Sequence, residues 1–292
     1  MATEHALVLV RLLHFTAVLL LLGTVVFQRR LAAADVAAAM AARLGRWQRD
    51  ASVMALASAI AWLLVEAADA SDGWAGAIDP ATMLSLATEA TFGWVWCLRI
   101  ALAVLLVTAS MVNWDSALEI GAVGLAFGVG WVGHGVILDG TVGWLLSIVL
   151  GAHVVAAGVW VGALPAVVAC LWTSDKAYPA EAVAASLTRF SRLGHGAVVV
   201  VAVTGLLTAR GILGDWPLNL SSLYRQLLAA KMLLIAVMIG LALINGYGLL
   251  PRIAAKSANA ARWLTATATA EIILTGLVLA LVAVFGNLSP MQ

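Results

Sequence analysis

The sequence predicts an all-α integral membrane protein, with eight transmembrane helices built as two parallel four-helix repeats. Three observations predict this. The chain of 292 residues is 63% hydrophobic and only 11% charged, whereas charged residues make up roughly a quarter of a soluble domain. Apolar runs of membrane-crossing length recur along the whole chain, at the ~20 residues a helix needs to cross the hydrocarbon core. Polar landmarks in the first half of the chain also return in the same order in the second.

The expected spans are 7–27, 51–69, 93–112, 118–137, 144–171, 191–210, 225–250 and 266–286. None alternates polar and apolar residues as a β-barrel strand would, so all are read as helices. The first opens with Arg11-Leu12-Leu13-His14 and carries Gly23 nine residues after the histidine; the fifth carries His153 and Gly162 at the same interval. Ahead of the second span, Arg46-Trp47-Gln48-Arg49 answers Arg189-Phe190-Ser191-Arg192 ahead of the sixth. In the third, Phe92 and Arg99 answer Tyr224 and Lys231 of the seventh, and in the fourth, Glu119 and Gly124 answer Glu271 and Gly276 of the eighth. The chain is thus a single membrane domain, 1–292, with repeat 1 at 1–137 and repeat 2 at 138–292.

Each repeat holds an even number of spans, so both begin on the same side, and a pseudo-two-fold axis along the membrane normal relates them. His14 and His153 become symmetry mates, expected to face each other across that axis. Gly158 and Gly162 form a small-xxx-small face on the fifth span, and Gly124, Gly128, Gly130 and Gly205 mark further places of close helix approach.

Orientation follows from the basic residues, because cytoplasmic loops collect Lys and Arg. Arg29, Arg30, Arg43, Arg46, Arg49, Lys176, Arg189, Arg192, Arg252, Lys256 and Arg262 fall on one side, and Asp69, Asp72, Asp79, Glu89, Asp139 and Asp215 on the other. Both termini are therefore expected on the periplasmic side. The first span is expected to be retained, since Glu4 and His5 precede it and its positive charges follow.

Several classes of function are excluded at this level. A formal net charge of +1 with no basic run gives nucleic acid nothing to bind. No P-loop, strand-bounded glycine fingerprint or nucleophile elbow is present, and no enzymatic role is expected. Cys97 and Cys170, the only two cysteines, lie in apolar segments at opposite depths and are read as packing residues.

Chemistry is left to polar groups inside the membrane, where they are costly and so mark function. His14 and His153 lie two to three turns below the outer ends of their spans, about 10 to 13 Å at 1.5 Å per residue. His134 lies within a turn of the outer end of the fourth span. Imidazole is a ligand common to copper, zinc and haem iron, and Met232 and Met238 offer thioethers that favour Cu(I). His195, near the inner surface, is read as structural or as part of an exit. Arg99 and Lys231 are basic mates in the outer third of their spans. Glu119 and Glu271 are read as favourable charges at the inner N-terminal starts of spans four and eight. Glu66, with Asp69 beside it, is read as an acidic mouth, and Trp131 and Trp160 as aromatic walls beside His134 and His153.

The run Gly151-Ala152-His153 to Gly162-Ala163-Leu164-Pro165, with Arg189-Phe190-Ser191-Arg192, Tyr224, Lys231, Asn245, Leu250-Pro251, Glu271 and Gly286-Asn287-Leu288-Ser289-Pro290, resembles the copper resistance D (CopD/PcoD) membrane family. The resemblance is strongest over 145–290 and continues more weakly through the first half. It implies eight spans, copper movement inward from the periplasm, and a periplasmic copper-binding partner of the CopC type, here a separate protein. It places motif histidines at His134, within Gly133-His134-Gly135, and at His153. The chain departs from the family at Gly246, where a basic residue commonly follows the asparagine.

The functional expectation is an inner-membrane copper uptake or copper-handling protein, multi-pass in the lipid bilayer, with a His-lined site between the repeats. His14, His134 and His153 are the metal ligands, Met232 and Met238 possible additions, and Glu66, Trp131, Trp160, Arg99 and Lys231 stand at the mouth or in support. Two alternatives remain at this stage: a haem b or electron-transfer protein using bis-histidine ligation, and a non-catalytic assembly factor for copper enzymes.

Overall fold

A computed structural model describes the chain except residues 1, 72, 89–91, 133–139, 178, 215–219, 255–256, 287 and 289–292. The described residues form helices and connecting turns, without a strand. Seven helices are long and apolar enough to cross a membrane.

The first span is α1 (Ala2–Val26), continued by a π-helical turn at Phe27–Leu31. The second is α2 (Ala34–Ala70), which begins well before the expected residue 51. The added turns are alanine-rich, Ala37-Ala38-Ala39-Met40-Ala41-Ala42, and alanine is the strongest helix former. The sixth span, α8 (Ala180–Leu213), is lengthened in the same way by Ala182, Ala184 and Ala185. It ends at Gly214, whose φ of 72° forms a left-handed C-terminal cap.

The stretch between the second and third spans holds a 3-10 turn (Trp74–Ile78) and a helix the sequence reading did not assign, α3 (Pro80–Thr88). Its start carries ordinary signals, with Asp79 at the cap and Pro80 at the first helical position. Asp79 Oδ2 accepts from Thr82 N at 2.9 Å and Thr82 Oγ1 at 2.7 Å, and these bonds hold its carboxyl below the usual range.

The third span is α4 (Phe92–Val112), joined to α5 (Asp115–Gly128) through Asn113, with a φ of 55°. Helix α5 has 14 residues and continues as one 3-10 turn, Val129–Trp131. It occupies the place of the fourth expected span and is shorter than a full crossing. The expected continuation to 137, with His134 in it, lies outside the described residues.

The fifth span divides into α6 (Gly140–Trp160) and α7 (Leu164–Ala177) at the turn Val161–Ala163. Pro165 explains the break, because proline fits the first turn of a helix and not its interior. The seventh is α9 (Leu223–Leu243), then a π-helical stretch (Ile244–Leu249) and the short α10 (Leu250–Ala254); the eighth is α11 (Ala258–Phe285).

Helix α1 is central, packing on α2, α5, α6, α7 and α11, while α4 lies against α2 and α5 and α9 against α11. Helix α1 comes close to α6 and to the turn that follows it. A Cβ on Gly23 would collide with the Gly162 and Ala163 backbone, and one on Gly158 would run into the Leu22 side chain. The glycines therefore mark a real backbone contact between the first and fifth spans. One buried apolar cluster runs through α1, α2, α5, α7 and α8; a second joins α6, α7, α8, α9 and α11.

Candidate functional site

His14 lies on α1 and is fully buried. Its Nδ1 is 3.0 Å from Ser58 Oγ on α2, and Ser58 in turn donates to the Met54 carbonyl at 2.6 Å. The serine's single proton is spent on that carbonyl, so its oxygen accepts from the imidazole, and His14 carries its proton on Nδ1. Nε2 is left with a free lone pair, and it is buried without a hydrogen-bond partner among the described residues. This arrangement is what a metal-binding imidazole requires: one nitrogen tied to a fixed acceptor, the other open.

The second half repeats the device. On α6, His153 Nδ1 is 3.0 Å from Thr204 Oγ1 of α8, and Thr204 donates to the Val200 carbonyl. The ring lies over Gly205, where a Cβ would stand 3.3 Å from His153 Cε1. Each histidine is thus clamped by a hydroxyl on the next span of its own half. Each also has a cation nearby, the buried Arg99 for His14 and the partly buried Lys231 for His153.

The walls of the His14 pocket are aromatic. Trp62 meets the imidazole edge-on at 5.7 Å between centroids, and Phe15 and Trp96 pack on Trp62. The Arg99 guanidinium, 3% exposed, lies 5.1 Å over Trp62 and 4.8 Å over Trp96, and donates to the Gly128 carbonyl at 3.4 Å. Among the described residues no carboxylate pairs with Arg99, and its Nη1 has no partner. Arg99 is therefore held inside the bundle by tryptophan faces, which bind a guanidinium by cation–π attraction.

His14 and His153 are each held by a hydroxyl of their own half, Ser58 on α2 and Thr204 on α8.

Other sequence-chosen residues fall in several places. Glu66 is engaged rather than open: Arg11 Nη2 is 3.2 Å away and Trp62 Nε1 donates to it at 2.8 Å. It braces the His14 pocket instead of forming an acidic mouth. Trp131 packs tilted against Phe127 and edge-on against Trp144, at centroid distances of 5.2 and 6.2 Å. Trp160 is not a wall of the His153 pocket; it is buried further in, beside Glu271, to which it hydrogen-bonds. Met232 is exposed, and Met238 is buried in the apolar cluster with Trp160, Leu164 and Val168.

The repeat-related carboxylates diverge. Glu119 stands near the start of α5 and pairs with Arg29 at 3.0 Å and Arg30 at 2.6 Å, while Arg29 also reaches Asp115 at 2.7 Å. Glu271 is not at a helix start, since α11 begins at Ala258, and it is only 1% exposed. Its Oε1 accepts from Asn245 Nδ2 at 2.7 Å and its Oε2 has no partner. The sequence reading missed Ser58, Thr204, Trp62 and Trp96. A usable signal was the spacing of Ser58 and Trp62, four apart and hence on one helix face.

Among the described residues no three His, Cys, Asp or Glu side chains converge on one point. A complete protein-only metal cage is therefore absent from that part of the chain. What it contains is one imidazole, His14, tied through Nδ1 with Nε2 open, and a second, His153, tied through Nδ1 in the same way.

Comparison with known proteins agrees with this setting. Residues 1–144 match the family model of the copper resistance protein D-like N-terminal domain, and residues 184–285 match that of copper resistance protein D. Inner membrane protein YebZ of Escherichia coli (strain K12) is 28% identical over 282 residues, which cover 96% of this chain and 97% of that protein. No solved structure matches. With family models matching both halves and a relative spanning nearly the whole length, the chain belongs to the copper resistance protein D family of membrane proteins.

Proposed function

We propose that the protein is an inner-membrane copper-handling protein that takes copper from the periplasmic side and passes it inward, with copper as cargo rather than as a reactant. The observation that carries the reading is the His14 imidazole, tied through Nδ1 to Ser58 and buried with Nε2 free. Family membership supplies the metal, and the inner-membrane relative supports the location.

The domain is read as two parallel four-span repeats, 1–137 and 138–292, with α5 and its continuation as the fourth of eight crossings. Supporting this, α1 packs on α11 as α6 packs on α5, and the His14–Ser58 pair has its counterpart in His153–Thr204. Arg29 and Arg30 after α1, with Arg189 and Arg192 in the first half of α8, favour an arrangement with both termini periplasmic.

His14, His153 and His134 are assigned as the ligands. His134, which lies outside the described residues, is assigned to the His14 pocket, and His153 to a separate one, since His14 and His153 are held by hydroxyls of different halves. Arg99 and Lys231 repel a cation at both. Fixed positive charges beside the ligands shorten the stay of the metal, which suits passing it on rather than storing it. A separate periplasmic copper-binding protein of the CopC type would deliver the ion.

The test is metal analysis of the purified protein together with its visible spectrum. Copper bound at low stoichiometry without a strong band near 400 nm is expected. A Soret band lost on His14→Ala or His153→Ala would replace this reading with haem ligation. Full copper delivery to enzymes with no metal bound to the protein itself would favour an assembly role.

A further inference from the structure

Near the basic face, a half-open cleft lies between α8, α9, α11 and the α6–α7 junction. Most of its wall is apolar, formed by residues such as Leu164, Phe190, Val198 and Ile239, and about 50 Å³ of its interior is clear. Two polar atoms without partners line it: His195 Nε2 and Glu271 Oε2. Both groups flank the same π-helical stretch. Glu271 bonds the Asn245 side chain, and the His195 ring lies over Gly246, where a Cβ would stand 3.0 Å from Nε2. Segments of π-helix in α-helices are frequently functional.

The neighbouring donors are already used. His195 Nδ1 donates to the Ser191 carbonyl at 2.5 Å, so Nε2 presents a lone pair. Asn245 donates to Glu271 Oε1, and its own oxygen accepts from Thr267 Oγ1 at 2.5 Å. The cleft is left with two unpartnered acceptors, the Ser191 hydroxyl and otherwise mostly apolar walls. Such a place takes a cation; 50 Å³ admits an ion with a few waters and no organic ring. The broken symmetry agrees, for Glu119 has two arginines while its mate Glu271 has no cation among the described residues. A carboxylate buried in the membrane without a positive partner is costly.

We propose that this cleft is a second cation site, in which His195 Nε2 and Glu271 Oε2 hold one copper ion near the inner face, on the way out of the membrane domain. Trp160 and Asn245 position the carboxylate, and Gly246 keeps the space over which the imidazole lies. The proposal rests on the copper reading above, but uses none of the outer residues.

The test is titration of the full-length protein in nanodiscs with copper(II) alone, read by stoichiometry and electron paramagnetic resonance. The background is His14→Ala with His153→Ala, so that only the inner site is read. One ion per chain with coupling to a single imidazole nitrogen is expected. Adding Glu271→Gln or His195→Gln should weaken it at least tenfold. Should Glu271→Gln fail to fold, His195→Gln decides, because that ring is held only by local contacts, the Ser191 carbonyl and hydroxyl and the edge of Tyr247. Unchanged binding in the folded variants, or no copper in the background protein, overturns the inner site. Binding in the background equal to wild type, lost with Glu271→Gln, upholds the inner site and retires the outer one.

Discussion

At the residue scale, the proposed function rests on how a histidine is held rather than on the histidine alone. Ser58 and Thr204 fix which nitrogen carries the proton, and partners of this kind are typically worth 10- to 100-fold in metal affinity. Ser58→Ala should weaken copper binding at the first-half pocket by about tenfold and leave the second unchanged, with Thr204→Ala doing the reverse, as copper titration of each variant would read. Equal effects at both pockets would mean that the hydroxyls act only on folding. The histidines were legible in the sequence because an intramembrane imidazole is rare and these two share a register. Their hydroxyl partners were not, since serine and threonine are ordinary in membrane helices and bond their own backbone, as Ser58 and Thr204 also do. Glu271 was misread for a different reason: its position in α11 depends on where the helix begins, and Ala258 to Ala270 carries no stop that the sequence makes visible.

At the element scale, the contact between α1 and α6 is the joint of the molecule. Gly23 and Gly162 have no room for a side chain, so Gly23→Leu should force the two helices apart. Overpacking of this kind costs roughly 1–3 kcal/mol or more, and a lowered Tm in detergent with reduced yield is expected; a Tm within a degree of wild type would contradict the contact. The glycine spacing was readable, and so were most of the spans, from apolar runs alone. Helix lengths were not, because alanine-rich turns of α2 and α8 extend past the apolar stretch on helix propensity rather than hydrophobicity.

At the scale of the whole molecule, the account has a direction and a division of labour. With native Cys97 and Cys170 replaced, single cysteines at 79 or 139 should react with impermeant reagents from outside, and those at 43 or 256 should not. The reversed pattern would overturn the periplasmic intake. The ion pairs of Arg29 and Arg30 with Glu119 and Asp115 tie the C-terminal end of the first span to the start of α5. Being partly exposed, they are each worth only about 0.2–1 kcal/mol, so the bundle rests mainly on its apolar clusters. The central claim is that His14 and His153 serve separate pockets, with His134 joined to the first. Copper titration of His14→Ala, His134→Ala and His153→Ala, singly and in pairs, tests it most directly. Losses should add for the 14 and 153 pair, as for independent sites, and fail to add for 14 and 134, as for ligands of one ion. A 14 and 153 double variant no worse than either single one would contradict the account and return the two histidines to a single shared site.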